Sequence, residues 1–221
     1  VDDNPLESES EDDGLIARLQ TIYEDNDICI ACKPAGLLSV PGKSGRASVL
    51  TAMRQRFPDS PSPLIVHRLD MATSGLMVIA KTLQAYHDLQ RQFANHEIRK
   101  RYVAVLSHPM PYGTPKEGVI SLPIRPDLDD RPRQVVDMEH GREAMTYYKQ
   151  VDTNRLWLWP RTGRTHQLRL HCAHKLGLDD PIKGDTLYGT GSDRLYLHAE
   201  AITFRHPTTG KIMTFTQKAP F

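Results

Sequence analysis

The chain has 221 residues, 39% of them hydrophobic, enough to bury a sizeable core, and its 28 basic and 27 acidic residues leave a net charge of +1. No run approaches the ~20 apolar residues that a membrane helix needs, and the N-terminus shows no signal-peptide pattern. Three cysteines give no disulfide framework and suit a reducing compartment, so a cytoplasmic protein is expected.

Residues 1–14, "VDDNPLESESEDDG", carry seven acids and no base and read as a disordered acidic leader. The remainder, residues 15–221, holds 28 basic against 20 acidic residues, a body of +8, and shows no internal linker, so one domain is expected. "TIY" and "DICIACK" flank "EDND" and predict a hairpin. "SVLTAMRQRF" (48–57) has helical periodicity and is stopped by "PDSPSP". "PLIV" and "GLMVIAK" read as strands on either side of "HRLDMATS". "LQAYHDLQRQFANHE" (83–97) is the clearest helix, with Leu83, Tyr86, Leu89, Gln90 and Phe93 along one side. "RYVAVLS", "GVISLPI", "AMTYYKQV" and "RLWLW" follow as strands. A further helix runs through "THQLRLHCAHKLG" to about Gly177, and "LYLHAEAITFRHPTTGKIMTFT" is a hairpin turned at "PTTG". Strands mixed with two or three helices, without regular βαβ alternation, predict an α+β fold.

Several constellations of residues could carry chemistry. "GLLSVPGKS" (36–44) has five residues between Gly36 and Gly42 where a phosphate loop needs four, and Pro41 removes a backbone donor, so an ordinary turn is expected. Cys29 and Cys32, on a strand, point to opposite faces, and neither they nor Cys172 belong to a paired zinc motif. Buried, inert thiols and no metal are expected. Ser74 and Ser107 lack a nucleophile-elbow pattern. Residues 153–178 contain Arg155, Arg161, Arg164, Arg169 and Lys175 and no acid, which suits a polyanionic partner as well as a solvated basic face.

"HRLDMATSG" (67–75), "RKRYVAV" (99–105) and "RTGRTHQLRLH" (161–171) together resemble the RluA-type pseudouridine synthases. "KPAGLLSVPG", "PIKGDTLYG" and "LHAEAITFRHP" resemble further blocks of that family in the same order, across roughly residues 20–220. The resemblance implies a mainly antiparallel sheet with flanking helices and a central catalytic cleft, with no S4-type domain. It implies an isomerase that cuts the C1′–N1 bond of a uridine in RNA, turns the base and rejoins it through C5, without metal, nucleotide or other cofactor. Asp70 then matches the catalytic carboxylate, Tyr102 the active-site tyrosine that stacks on the base, and Arg169 the arginine that pairs with the aspartate. Arg68 matches the residue that fills the gap left by a flipped nucleotide.

Arg99, Lys100, Arg101, Arg161 and Arg164 are the expected RNA contacts, and His67, Thr73, Ser74 and Gly75 are expected to shape the loop. The partner so implied is a stem-loop of large-subunit ribosomal RNA, the anticodon arm of transfer RNA, or both, met by a monomer. A non-catalytic RNA-binding module of the same fold is the alternative.

Overall fold

A computed structural model describes residues 12–42, 45–60 and 64–221, which form two compact units. The first is the chain up to Ile98 together with Ala201–Lys218; the second is Arg99–Glu200 with Ala219–Phe221. Of the expected acidic leader, residues 1–11 lie outside the described residues. Residues 12–17 are helical, and the Asp12 carboxylate accepts from the Ala47 N–H and the Arg46 guanidinium, so the last leader residues are structured rather than disordered.

In the first unit, β1 (Gln20–Glu24) and β2 (Ile28–Lys33) pair antiparallel around the expected turn. Asp25 closes it: its carboxylate accepts from the Asp27 and Ile28 N–H groups, the Tyr23 hydroxyl and Nε2 of His206. Among the described residues, Asp25, Asp27 and His206 are the one acid–histidine group close enough to share a cation. Asp25 already meets donors on both oxygens, and His206 accepts two backbone N–H groups at Nδ1, so the cluster serves the turn.

Helix α1 (Val49–Arg56) starts on Ser48, which exchanges hydrogen bonds with Thr51. β3 (Ser74–Ala80) lies antiparallel to β2 with Gly75 opposite Lys33, and every residue of β3 is buried. Burial on both faces explains why β2 and β3 read as near-continuous apolar runs. Ile28, Ile30, Leu76 and Val78 pack with Ala85 and Leu89 of α2 (Leu83–Ala94), which is capped by Thr82. Leu83, expected on the packed side, is 49% exposed. Gln92 is buried in that stripe instead, bonding the Arg205 carbonyl and N–H with its side-chain amide. "PLIV" makes only one bridge, Ile65 to Ile79, instead of the expected strand.

In the second unit, β4 (Arg99–Val105), β9 (Arg155–Pro160), β8 (Met145–Gln150) and β5 (Glu117–Ser121) lie side by side in that order, each pair antiparallel. The register puts Tyr102, Leu158 and Tyr148 on one face, which is buried, and Trp157, Trp159 and Tyr147 on the other. Pro123 interrupts the expected strand "GVISLPI" because it cannot donate to a ladder. The chain then forms a separate pair, β6 (Ile124–Pro126) with β7 (Gln134–Val136). Helix α3 (Gln167–Ala173) packs Leu170 on Ile124 and Ala144, and it ends four residues short of Gly177. β10 (Leu197–Arg205) begins in the second unit and ends in the first, where it pairs antiparallel with β11 (Ile212–Thr216) across the expected "PTTG" turn.

Candidate active site

The loop that carries Asp70 is tied down along its length, all within the first unit. Gln90 Nε2 donates to the Val66 carbonyl. His67 accepts the Val78 N–H at Nε2 (3.0 Å) and stacks on Phe93 with ring centroids 4.7 Å apart. Buried Ser39 Oγ takes the Leu69 N–H (3.0 Å) and gives its own proton to the Leu69 carbonyl (2.7 Å). The Asp70 carbonyl accepts from Thr73 N–H, and the Met71 carbonyl accepts from both Gly36 N–H and Lys33 Nζ. Thr73 and Ser74 are buried, and Gly75 holds φ +126°, a conformation that favours glycine, where the loop enters β3. The Asp70 side chain is half-buried and Arg68 is exposed. A half-buried carboxylate on backbone fixed from both sides can meet a ligand without first being ordered.

Lys33 is the anchor of this frame. It is fully buried, and its ammonium donates to the carbonyls of Pro34 (3.0 Å), Leu37 (2.7 Å) and Met71 (3.0 Å). Burial pulls it down to about 7, while the nearby Asp70 charge pushes the other way.

In the second unit, Tyr102 is 8% exposed on the buried face of β4. Strand alternation puts half-buried Lys100 on the same face, where desolvation lowers it to about 8. The same alternation turns Arg99 and Arg101 to the opposite face, which corrects the expectation that all three bases flank the tyrosine. Arg101 lies 4.7 Å over the Trp157 ring and donates to Glu200 (2.8 Å). Arg161 and Arg164 are exposed in the loop before α3. That loop is braced by Gln167, which accepts from the Thr162 hydroxyl and the Arg164 N–H and donates to Met145 and Thr146. His171 is buried between Thr146 and the Leu122 carbonyl, and burial lowers its pKa.

Arg169 makes a bidentate pair with Asp185, Nε to Oδ2 at 2.7 Å and Nη2 to Oδ1 at 2.6 Å, with both side chains buried. Burial works to raise the Asp185 carboxyl, but Arg169 and the N–H groups of Leu187 and Tyr188 hold it below its ordinary value. Tyr188 lies against the Arg169 guanidinium at 5.5 Å, and its hydroxyl meets His166 Nδ1 (2.9 Å) and accepts Gln134 N–H (2.8 Å). The guanidinium is therefore fixed by a carboxylate and a tyrosine of the "GDTLYG" turn.

A family model described as RNA pseudouridylate synthase matches residues 27–174. The chain belongs to that family. Its curated relatives include the dual-specificity RNA pseudouridine synthase RluA of Escherichia coli K12, 44% identical over 216 residues that cover 92% of this chain and 94% of that protein. The protein of the same name in Haemophilus influenzae is 40% identical over 217 residues, with the same coverage of 92% and 94%. The synthase is thus of RluA type, an isomerase that acts on RNA. Among solved structures, human RNA pseudouridylate synthase domain containing 1 superposes with a TM-score of 0.74 at 24% identity, covering 93% of this chain and 85% of that one. Human RNA pseudouridylate synthase domain containing 4 gives 0.71 at 24% identity, covering 97% and 93%. Both share its α+β fold with a mainly antiparallel sheet.

Sequence reasoning missed Lys33, Ser39, Asp185 and Tyr188. All four lie in blocks the resemblance picked out, "KPAGLLSVPG" and "PIKGDTLYG". Lys33 could have been flagged as a lysine ending an apolar strand. Nothing in the local sequence marks Asp185 as the acid that meets Arg169.

Proposed function

We propose that the synthase isomerises uridine in structured RNA through Asp70, with Tyr102 and Arg169 completing the reacting group. The observation that carries this reading is the fixing of the Asp70 loop by Ser39, Gly36 and Lys33, an investment in rigidity that a surface turn has no need of. The carboxylate supports cleavage of the C1′–N1 bond, either as a nucleophile or by stabilising the charge that develops there. The freed uracil, an anion at N1, turns so that C5 faces C1′, the new C–C bond forms, the C5 proton leaves to a base, and N1 takes up a proton. Tyr102 stacks on the uracil and relays that proton, with half-buried Lys100 on its own strand face as the neighbouring cation. No electron is gained or lost, so the reaction needs no redox group.

A uridine in a folded stem cannot react until it is extruded. In this reading Arg68, exposed two residues before Asp70, fills the vacated stack, and exposed Arg161 and Arg164 take phosphates. The substrates in this reading are large-subunit ribosomal RNA, the transfer-RNA anticodon arm, or both; the RluA relatives are named dual-specificity RNA pseudouridine synthases. The enzyme works as a cytoplasmic monomer; no helix among the described residues is long and apolar enough to cross a membrane.

Tritium release from RNA labelled at uridine C5 tests the reading. Wild type releases label, and Asp70→Asn releases none while its RNA affinity stays within about tenfold, because affinity rests mainly on phosphate contacts. A wild-type protein that binds the RNA but releases no tritium would be a binding module. Full activity in Asp70→Asn would remove the carboxylate from the mechanism.

A further inference from the structure

The face of the second unit's sheet that lies opposite Tyr102 is buried at Val103 of β4 but open along β8 and β5. Exposure alternates along its strands: Tyr148 and Ile120 are buried, whereas Tyr147 (36%) and Val119 (59%) are exposed. On the open face Tyr147 stands opposite Trp159 with ring centroids 5.3 Å apart, and Trp159 is 6.0 Å from Trp157. These are the chain's two tryptophans, neither of them in the buried core.

Cations are interleaved with the rings. Arg101 is stacked on Trp157, Lys149 is the residue opposite Trp157 on the next strand, and exposed Arg99 begins β4 on the same face. Arg155 adds a fourth positive charge; Arg101 pairs with Glu200 (2.8 Å), Lys149 pairs with Glu117 (3.5 Å) on the exposed rim, and Arg155 donates to the Phe221 carbonyl (2.6 Å). Tyr147 is exposed and Trp157 and Trp159 are half-buried, so this cross-strand ring cluster leaves aromatic surface facing solvent. A protein-docking patch is depleted of charge at its centre, whereas rings alternating with arginine and lysine are the composition of platforms for single strands.

We propose that this face binds single-stranded RNA, with bases stacked on Tyr147 and Trp159 and phosphates against Arg99 and Lys149. The choice of RNA rests on the reading of the chain as an RNA-modifying enzyme. The site itself is separate from the chemistry, since it lies on the other side of the strand that carries Tyr102. It would hold sequence flanking the modified stem-loop and add affinity for long RNAs over minimal hairpins.

Because both tryptophans are on this face, their emission reports on it directly. The whole chain is titrated with an oligoadenylate RNA of about twelve nucleotides, a length within the usual single-strand site sizes. The oligonucleotide has no uridine and cannot be a substrate, so the outcome is independent of tritium release. Emission is expected to fall saturably, less so as salt is raised. Anisotropy of a labelled oligoadenylate is expected to show affinity reduced about tenfold or more in Tyr147→Ser/Trp159→Ala, from the loss of two stacked bases. Arg99→Ser/Lys149→Ser is expected to bind more weakly with a shallower salt slope. Circular dichroism confirms that the variants fold. Unchanged emission on titration, or undiminished affinity in the aromatic double variant, overturns the proposal. So does emission that tracks protein concentration alone together with a dimer in sedimentation, which would make the face a contact between copies.

Discussion

Replacing Arg169 with methionine keeps most of its volume and removes its charge, which strands Asp185. That carboxylate has a fully buried side chain, and Arg169 occupies both of its oxygens at 2.6 and 2.7 Å. Taking away one partner of such a pair leaves an uncompensated buried charge and costs about 3–5 kcal/mol. Arg169→Met/Asp185→Asn removes both charges of this pair, and the asparagine oxygen still accepts the N–H groups of Leu187 and Tyr188. The double variant is therefore expected to recover most of the loss, to within about 1–2 kcal/mol of wild type, where ordinary hydrogen-bond changes lie.

The loss also depends on pH. In wild type the folded Asp185 pKa is depressed, so its contribution is present above the unfolded value of about 4 and fades as pH falls through the lower folded value. In Arg169→Met burial acts without the cation and raises the folded pKa, so the variant loses stability as pH climbs from about 4. The gap between the two proteins should be narrower at pH 4.5 than at pH 7. Urea midpoints for the four proteins of the double-mutant cycle, at both pH values, measure it. A double variant no more stable than Arg169→Met, or a gap independent of pH, would refute the argument.

Lys33 also favours wild type as pH rises, at higher pH and through a depressed base. Its folded pKa of about 7 lies below the unfolded lysine's ~10.4, so between those values the unfolded chain binds more protons and the cost of burying the ammonium fades as pH rises. Relative to Lys33→Met, wild type should gain up to about 1 kcal/mol per pH unit from pH 7 to 9 in urea midpoints. Lys33→Met should also lower kcat by releasing the Met71 carbonyl, and a flat difference with normal turnover would count against the anchor. Gly184→Ala should cost at least about 2 kcal/mol in the same assay, because φ is +77° and the new methyl would run into the Arg194 carbonyl oxygen. A neutral outcome would mean that the turn holding Asp185 can shift.

The hairpin at "EDND", the helix over 83–94 and the alternation of β8 and β9 were legible because each follows from the spacing of neighbours along a few residues. Asp70, Tyr102 and Arg169 were legible as members of motif blocks. The rest of the candidate site was not, because its contacts join residues far apart in the chain. Lys33 reaches the Met71 carbonyl 38 residues on, Ser39 clasps Leu69 30 residues on, and Arg169 finds Asp185 16 residues on. "RKRY" reads as one basic cluster, yet the pleat of β4 sends Lys100 to the face of Tyr102 and Arg101 to the face of Trp157. Periodicity and residue chemistry determined which segments fold and which groups can react. Only tertiary structure decided which carbonyls, carboxylates and rings those groups meet, because a side chain's partners are set by the packing of strands and loops rather than by its neighbours in sequence.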